Sequence, residues 1–279
     1  MLTAKFVFTR ASDRVRQHRI TQKIACCYDR ARIRLVELCI MKLLVLQHHP
    51  AEHPGEFRRL LSEDGHTWDA VNLDAGEPLP SLDGYEGLWV MGGPMDVWQE
   101  DQHPWLADEK AFIREAVEER GLPYLGLCLG HQLLAEALGG EVGPGTPEIG
   151  VCDIQLTDVG SEGVFLDGLP ERFPALQWHS AEIKQIPASA KILATSPECA
   201  VQAMQWGPRA YSVQFHLEVE NDTVSNWADI TEYRDALENA LGSGGSAQLK
   251  QACDDHLDEF RTMSERVYIN WLQTTAKVL

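Results

Sequence analysis

The sequence predicts an α/β protein with a doubly wound, mostly parallel sheet, a strand-rich extension and C-terminal helices. From residue 41 to residue 138, short apolar segments alternate with helical patterns, as in parallel sheets whose strands are joined by helices. Short strand patterns dominate residues 151–215, and the pattern after residue 224 is helical. A length of 279 residues fits one large domain or two small ones.

The first half of the chain contains the pattern of a parallel sheet. The short apolar segments predict strands over Leu43–Leu46, Thr67–Leu73, Gly87–Met91 and Leu122–Leu125. The segments between and after them have helical periodicity and end near glycines, which predicts helices over Pro54–Glu63, Leu106–Arg120 and Gln132–Leu138. Functional residues gather at the carboxyl ends of parallel strands, which is where Gly93 and Cys128 stand.

The second half is richer in strands and then becomes helical. Strands are predicted over Val151–Leu156, Ala175–Trp178, Ile183–Ile186, Lys191–Ala194, Val201–Gln205 and Ala210–Phe215. Gly207 and Pro208 indicate a turn between the last two strands, and therefore a hairpin. Two helices follow, Val224–Leu241 and Ala247–Thr274, and the second has one apolar stripe that we expect to pack on the domain or on a second copy of the chain. The alternative is a face that binds a partner.

Residues 1–40 differ in composition from the rest of the chain. They hold nine Lys and Arg against three Asp and Glu, whereas the whole chain has a net charge of −18. We expect a poorly packed, disordered extension without function, or an upstream start with the protein beginning at Met41; a targeting peptide is the alternative. The expected organisation is this extension, a domain over residues 41–220, and a helical segment over residues 221–279 packed on that domain.

Composition also excludes several classes of function. The net charge of −18 argues against nucleic-acid binding, which needs a basic surface. The seven cysteines form no CxxC pair and no Cys/His cluster, so neither a metal nor another cofactor is expected. Scattered free thiols favour the reducing cytoplasm. No apolar run approaches the roughly 18 residues that span a bilayer, so no membrane association is expected.

The most informative segment is Gly126-Leu127-Cys128-Leu129-Gly130-His131-Gln132. It lies between a predicted strand and a predicted helix, so it predicts a nucleophile elbow, the thiol counterpart of the G-x-S-x-G turn. Glycines on both sides of the reactive residue fit a sharp turn that neighbouring backbone crowds. The positive end of the helix dipole favours a thiolate at Cys128. A buried structural cysteine before a helix is the alternative.

A second segment supplies the base that a thiol nucleophile needs. Ser212-Val213-Gln214-Phe215-His216-Leu217-Glu218 ends a strand pattern, so His216 lies at a sheet edge. Glu218 follows two residues later, close enough to accept a hydrogen bond from the imidazole and fix its tautomer. A single histidine after a strand is more often structural, but with the elbow this pair predicts a Cys-His-Glu triad.

Three segments together carry a family resemblance: Gly92-Gly93-Pro94, Gly126–Gln132 and Gln214–Glu218. In this order they resemble the motifs of class I, triad-type glutamine amidotransferases, and especially the glutaminase domain of GMP synthases and its stand-alone relatives. The resemblance covers residues 41–220. It implies a flavodoxin-like fold and attack of the cysteine on the glutamine side-chain amide. The reaction it implies releases ammonia, leaves a γ-glutamyl thioester on the cysteine, and gives glutamate when water hydrolyses that thioester.

The resemblance also implies individual roles in catalysis. Cys128 matches the nucleophile, His216 the general base and acid, and Glu218 the carboxylate that orients the histidine. The backbone N–H groups of Gly93 and Leu129 match the oxyanion hole. The residue after an elbow nucleophile directs its N–H at the developing oxyanion, and one such donor is worth on the order of 3 kcal/mol in the barrier.

Substrate binding is implied less directly, and the sequence departs from the family pattern twice. Gln132 and His179 match positions near the substrate, although Gln132 is otherwise an ordinary helix residue and His179 a polar loop residue. Leu217 stands where the family usually has proline, which only stiffens the turn, so we expect catalysis to survive. Ala181 stands where the family has an acid, which affects glutamine affinity and coupling to a synthetase.

These observations favour a glutaminase that acts on glutamine or a γ-glutamyl compound, with any ammonia acceptor on a separate synthetase subunit. No segment resembling an ATP pyrophosphatase follows residue 220. One alternative is a γ-glutamyl peptidase that uses the same triad with water as acceptor. A second is an inactive interaction module that binds through the C-terminal helices. Redox sensing by Cys128 is a weaker alternative, because no second thiol lies near it in the sequence.

Overall fold

The structure, a computed structural model, describes residues 40–275, so all but the last residue of the predicted basic extension lies outside the described residues. Within that range the strands form one nine-stranded sheet in the order β2-β1-β3-β4-β9-β8-β7-β5-β6. Their bounds are β1 Lys42–Gln47, β2 Thr67–Asn72, β3 Gly87–Val90, β4 Tyr124–Leu127, β5 Glu141–Leu156, β6 Arg172–Gln185, β7 Lys191–Thr195, β8 Ala203–Trp206 and β9 Ala210–Val213.

The sheet is parallel on one side and antiparallel on the other. Strands β2, β1, β3, β4 and β9 run parallel, and β8, β7, β5 and β6 extend the sheet through antiparallel pairs. The predicted fold class is therefore confirmed, including the hairpin of β8 and β9. Strands β1, β3, β4 and β9 are adjacent and parallel, so their carboxyl ends meet at one edge.

The helices pack against the strands of this sheet. Their bounds are α1 Phe57–Glu63, α2 Trp105–Arg114, α3 Leu129–Ala137, α4 Asp158–Glu162, α5 Thr223–Ala228, α6 Thr231–Leu241 and α7 Gly245–Thr275, with a π-helical turn over Glu115–Glu119 after α2. Between residues 40 and 275, none of these helices combines the length and the apolar character that crossing a bilayer requires.

Some predicted elements differ from the observed ones. The helix predicted over Val224–Leu241 is two helices, because Ile230 takes an extended conformation (φ −77°, ψ 128°) and buries its side chain. The two strands predicted between residues 175 and 186 are one continuous strand, β6. Its polar middle stays extended because β5, which begins ten residues earlier than predicted at Glu141, pairs with it along most of its length.

The long helix α7 packs on the sheet through its apolar stripe. The Trp271 indole contacts Trp89 of β3 edge to face, with ring centroids 5.2 Å apart. Its Nε1–H donates a hydrogen bond to the carbonyl of Tyr124, 3.1 Å away in β4. Both tryptophans are fully buried, so the helix closes the core beneath the central strands of the sheet. The contact area of such aromatic side chains is a large part of core stability.

Candidate active site

Cys128 lies in a strained turn between β4 and α3. Its backbone has φ 49° and ψ −100°, a conformation that non-glycine residues rarely adopt. The Cys128 N–H donates to the carbonyl of Val213 at the end of β9, 2.8 Å away, which secures the turn to the neighbouring strand. Backbone strain of this kind persists where the surrounding structure fixes it, and it is concentrated at functional sites. The geometry is that of a nucleophile elbow.

The glycines on either side of Cys128 are required by close backbone contacts. A Cβ atom on Gly126 would lie 2.6 Å from the carbonyl oxygen of Gly130. A Cβ atom on Gly130 would lie 2.1 Å from the carbonyl oxygen of Val90 in β3. Neither backbone atom can move away without disturbing the sheet or the helix. The elbow sequence therefore has glycine at these two positions because no side chain fits.

His216 and Glu218 form a buried pair in the segment that follows β9. The His216 Nδ1 lies 2.6 Å from Glu218 Oε1, and the Leu217 N–H donates to Glu218 Oε2 over 3.0 Å. A proline at position 217 could not donate this second hydrogen bond. The backbone of His216 is also fixed, because its N–H and carbonyl exchange hydrogen bonds with Leu176 of β6.

The environment of His216 favours its protonated form. Burial alone would lower the pKa of the imidazole, but the Glu218 carboxylate and hydrogen bonds to Cys128 and Glu218 raise that pKa well above its usual range. Because Nδ1 faces Glu218, Nε2 is the nitrogen left for the Cys128 sulfur. The Trp227 ring packs edge-on against the imidazole, with centroids 4.7 Å apart, and helps hold its orientation. The imidazole of His216 therefore interacts with both Glu218 and Cys128.

Two glutamine side chains form a chain of hydrogen bonds that begins at the Cys128 sulfur. Gln214 Nε2 lies 3.4 Å from Cys128 Sγ, and Gln214 Oε1 accepts a hydrogen bond from Gln132 Nε2 at 3.0 Å. Gln132 Nε2 also donates to the carbonyl of Ala181, 3.2 Å away. The amide hydrogens of Gln132 are thus used inside the protein, and its carbonyl oxygen is the atom left for a ligand. Gln214 stood in the motif, but the sequence assigned it no role.

A pocket of about 380 Å³ opens at Cys128. Gly93 and Leu129, the residues predicted to form the oxyanion hole, line it together with Cys128 and Gln132. Between residues 40 and 275, no hydrogen bond to another protein group engages the N–H of either Gly93 or Leu129. Within the described residues, these two N–H groups at the pocket are therefore not used by protein acceptors.

Helix α6 forms the opposite wall of this pocket, which the sequence did not predict. Its contribution to the lining is Glu232, Tyr233, Ala236, Asn239 and Ala240. Asp96 lines the pocket from the loop after β3, and burial raises the pKa of its carboxyl. Among the described lining residues there is no Lys or Arg, so the pocket is acidic. Such a lining favours ligands that carry an amino group.

His179 also lines the pocket, but both of its ring nitrogens face protein groups. Nδ1 lies 3.0 Å from the carbonyl of Ala181, and Nε2 lies 3.2 Å from Glu148 Oε2. Glu148 is further bound by the hydroxyl of Ser196 and the amide of Gln202. His179 therefore shapes the pocket wall, and its hydrogen bonds hold the residues behind it.

Two further side chains near the triad were missed by sequence reasoning. The carboxyl of Glu52, in the loop after β1, is buried beside His216, and burial raises its pKa. The hydroxyl of Tyr233 donates a hydrogen bond to Glu52 Oε1. A position after a buried parallel strand was a usable signal for Glu52. None existed for Tyr233, which lies 181 residues away on a helix.

Comparison with known proteins is consistent with this geometry. The family model described as glutamine amidotransferase class-I matches residues 57–226, which is more than half of the chain. The matched range contains the elbow at Cys128, the loop at Gly93 and the pair of His216 and Glu218.

Individual relatives are named as GMP synthases or as subunits of GMP synthases. GMP synthase [glutamine-hydrolyzing] of Aeropyrum pernix is 39% identical over 168 residues, which are 58% of this chain and 30% of that protein. A protein of Sulfolobus acidocaldarius, named as one of the subunits of GMP synthase [glutamine-hydrolyzing], is 34% identical over 155 residues, 55% of this chain and 78% of that protein. The chain thus spans less than a third of the length of the first relative.

A solved structure shares the fold over nearly its whole length. It is described as a glutamine amidotransferase from Thermotoga maritima and matches with a TM-score of 0.75 at 26% sequence identity. The alignment covers 84% of this chain and 99% of that chain.

Proposed function

Because the chain belongs to the class I glutamine amidotransferases, we propose that it hydrolyses the side-chain amide of glutamine through Cys128, releasing ammonia and glutamate. The observation that carries the proposal is the contact of three groups at one pocket. Cys128 stands in a strained elbow, its sulfur hydrogen-bonds His216, and His216 is held by Glu218. A nucleophile, a base and a group that orients the base are the parts that this chemistry requires.

The first half of the reaction forms an acyl-enzyme. The Cys128 sulfur attacks the amide carbon, and the oxygen that gains negative charge accepts hydrogen bonds from the N–H groups of Gly93 and Leu129. His216 gives its proton to the leaving nitrogen as the carbon–nitrogen bond breaks. Ammonia departs, and a γ-glutamyl thioester remains on Cys128.

The second half uses water. His216 takes a proton from water, whose oxygen attacks the thioester carbon, and the same two N–H groups stabilise the oxyanion. The carbon–sulfur bond then breaks, which frees glutamate and returns the sulfur as a thiolate beside the imidazolium. The Glu218 carboxylate stabilises that imidazolium in both halves.

We also propose where the product goes. Several relatives are named as one of the subunits of GMP synthase, so by their names they are parts of a larger enzyme. The ammonia acceptor of this chain is therefore proposed to lie on a separate synthetase chain. The cysteines of the described residues are free thiols, which supports a reducing cytoplasm as the site of action.

A second substrate class is favoured by one observation, the wall that α6 adds to the pocket. Glu232 and Asn239 lie along this wall and add polar groups to the pocket at Cys128. We propose that they contact a group attached to the γ-amide nitrogen. A γ-glutamyl peptide or amine would present such a group, with water as the only acceptor. Glutamine has no such group on its amide nitrogen. A comparison of glutamine with a γ-glutamyl peptide therefore distinguishes a glutaminase from a γ-glutamyl peptidase.

The test compares substrates and variants on the intact chain. Ammonia release from glutamine is measured beside hydrolysis of γ-glutamyl dipeptides, for the wild type, Cys128→Ala and Cys253→Ala. Cys253 is a buried cysteine on α7 and serves as the matched control. We expect Cys128→Ala to abolish turnover and Cys253→Ala to retain it. A wild type that turns over no substrate of the panel, or a Cys128→Ala variant as active as the wild type, contradicts the proposed function.

A further inference from the structure

His48 lies between the predicted oxyanion loop and a buried carboxylate. It is the first residue after β1, and Gly92 follows β3 by two residues, so the parallel pairing of these strands brings them together. His48 Nδ1 is 2.8 Å from the carbonyl oxygen of Gly92. His48 Nε2 is 2.9 Å from Glu109 Oε1 on α2, and both side chains are fully buried.

These two contacts define the charge of the ring. A carbonyl oxygen and a carboxylate oxygen both only accept hydrogen bonds, so each ring nitrogen of His48 must carry a hydrogen. Burial alone would lower the pKa of this imidazole, but Glu109 and the hydrogen bonds to Glu109 and Gly92 raise it above its usual value. Glu109 Oε2 has no hydrogen-bond partner within residues 40–275, so the imidazolium is the main support of that carboxylate.

The position of the Gly92 carbonyl determines where the Gly93 N–H points. Both groups belong to one planar peptide, and the described residues contain no cis peptide bond, so the N–H points away from the carbonyl. The carbonyl faces His48, and Gly93 lines the pocket at Cys128. The Trp105 ring stacks on His48, with centroids 5.5 Å apart and an interplanar angle of 14°, and prevents the imidazole from turning.

We propose that His48, held as an imidazolium by Glu109, positions and polarises the Gly92–Gly93 peptide so that the Gly93 N–H stabilises the oxyanion. The inference rests on the proposed function, because it assigns a helper to the same reaction. A charged donor on the carbonyl strengthens the hydrogen bond that the N–H of the same peptide donates. His48 keeps its proton throughout, so it is a positioning residue and does not contact the substrate.

Three variants distinguish the effect of the charge on His48 from the effect of the shape of its side chain. His48→Leu removes both contacts of the imidazole. His48→Asn retains a donor that can reach the Gly92 carbonyl but has no charge and no contact with Glu109. Glu109→Gln removes the carboxylate that holds the ring in its charged form. His66→Asn is the matched control. His66 is also buried but does not line the pocket, and its Nδ1 accepts a hydrogen bond from the Met41 N–H.

Two rates are measured for each full-length protein. One is turnover of the best γ-glutamyl amide, separated into kcat and KM. The other is alkylation of Cys128 by iodoacetamide, a displacement at saturated carbon that forms no oxyanion. Loss of oxyanion stabilisation lowers the first rate alone, whereas a damaged elbow or triad lowers both.

We expect His48→Leu to lower kcat on the order of 100-fold with little change in KM, the size of effect seen when an oxyanion donor is lost. His48→Asn and Glu109→Gln should lose about tenfold, and alkylation should stay within about twofold of the wild-type rate. If His48→Leu does not fold, His48→Asn and Glu109→Gln decide whether the inference holds. Unchanged turnover in them, or an equal fall in turnover and alkylation, overturns the inference. A wild type without amide turnover overturns the proposed function as well.

Discussion

Tyr233 on α6 donates a hydrogen bond from its hydroxyl to the buried carboxylate of Glu52 in the loop after β1. The two residues are 181 positions apart, and the contact joins the C-terminal helices to the carboxyl edge of the parallel sheet. A second hydrogen bond, 3.1 Å long, joins the Trp227 indole on the preceding helix α5 to the carbonyl of Ala51 in the same loop. Helix α6 is therefore fixed as a wall of the pocket.

Removing the Tyr233 hydroxyl should destabilise the protein. Tyr233→Phe leaves the buried Glu52 Oε1 without this donor, which costs about 1–3 kcal/mol for a buried acceptor and more for a charged one. The free energy of unfolding, measured by urea denaturation, should fall by that amount. Tyr85→Phe is the matched control, because Tyr85 donates a similar bond to Asp69 at 2.7 Å in an exposed position. A loss as large in Tyr85→Phe as in Tyr233→Phe would contradict the argument.

The sequence was sufficient to predict the fold class, and to predict that Cys128, His216 and Glu218 lie at one edge of the sheet, for identifiable reasons. Cys128 follows a short apolar strand and precedes a helix, and His216 and Glu218 follow the last parallel strand. Adjacent parallel strands end at one edge of the sheet, so residues that follow these strands lie close together there. This proximity can be predicted without detailed knowledge of packing. His48 follows the same rule after β1, but its role depends on Glu109, which the sequence does not connect to it.

The pocket wall could not be predicted, because it depends on long-range packing. The helical pattern over residues 224–241 has no obvious break, yet Ile230 turns the chain so that Trp227 and Tyr233 both reach the site. Local propensity continues a helix there, and burial of Ile230 overrides it. Likewise, pairing with β5 keeps the polar middle of β6 extended.

Neutralising Glu218 should shift the reactivity of Cys128 toward alkaline pH. Glu218 is the main group that raises the pKa of His216 against the effect of burial, so Glu218→Gln lowers that pKa. The imidazolium that stabilises a thiolate is then lost at a lower pH. We expect iodoacetamide alkylation of Cys128 at neutral pH to slow, and kcat for amide hydrolysis to fall about 100- to 10,000-fold.

The control for this prediction is Glu220→Gln, two residues further along the chain. Glu220 pairs with Arg58 at 2.6 Å and is partly exposed. Its neutralisation should leave the pH profile of alkylation as in the wild type. An unchanged profile in Glu218→Gln would mean that Glu218 does not control the charge of His216.

Replacing Gly130 by alanine should destabilise the protein although the residue lies in helix α3. In a helix, glycine to alanine is normally favourable by about 1 kcal/mol. Here the added Cβ would lie 2.1 Å from the Val90 carbonyl oxygen, and forced overpacking of that kind costs about 1–3 kcal/mol or more. Gly143→Ala is the comparison, since its Cβ would meet only the flexible Lys184 side chain at 3.3 Å. Thermal denaturation should show a lower Tm for Gly130→Ala alone; equal Tm values would contradict the clash.

His131 should make the protein sensitive to acid. Its Nε2 lies 3.0 Å from the Val201 carbonyl and its Nδ1 lies 2.8 Å from the Ser212 hydroxyl, so the neutral ring satisfies both partners. Burial lowers the pKa of His131 from 6.5 to about 3 in the folded protein, although the hydrogen bond to Val201 opposes the shift. The unfolded chain therefore binds a proton between pH 6.5 and about 3 that the folded chain does not bind.

The stability that His131 contributes is thus complete above pH 6.5 and is lost progressively as the pH falls toward 3. Each pH unit costs at most about 1.4 kcal/mol, so lowering the pH from 7.5 to 5 should remove about 2 kcal/mol through this residue. His131→Gln retains a donor for Val201 but does not titrate. The free energy of unfolding is measured by urea denaturation at both pH values. Its fall between the two pH values should be smaller in His131→Gln than in the wild type, by about that amount. The same difference in both proteins would mean that His131 is not held neutral by burial.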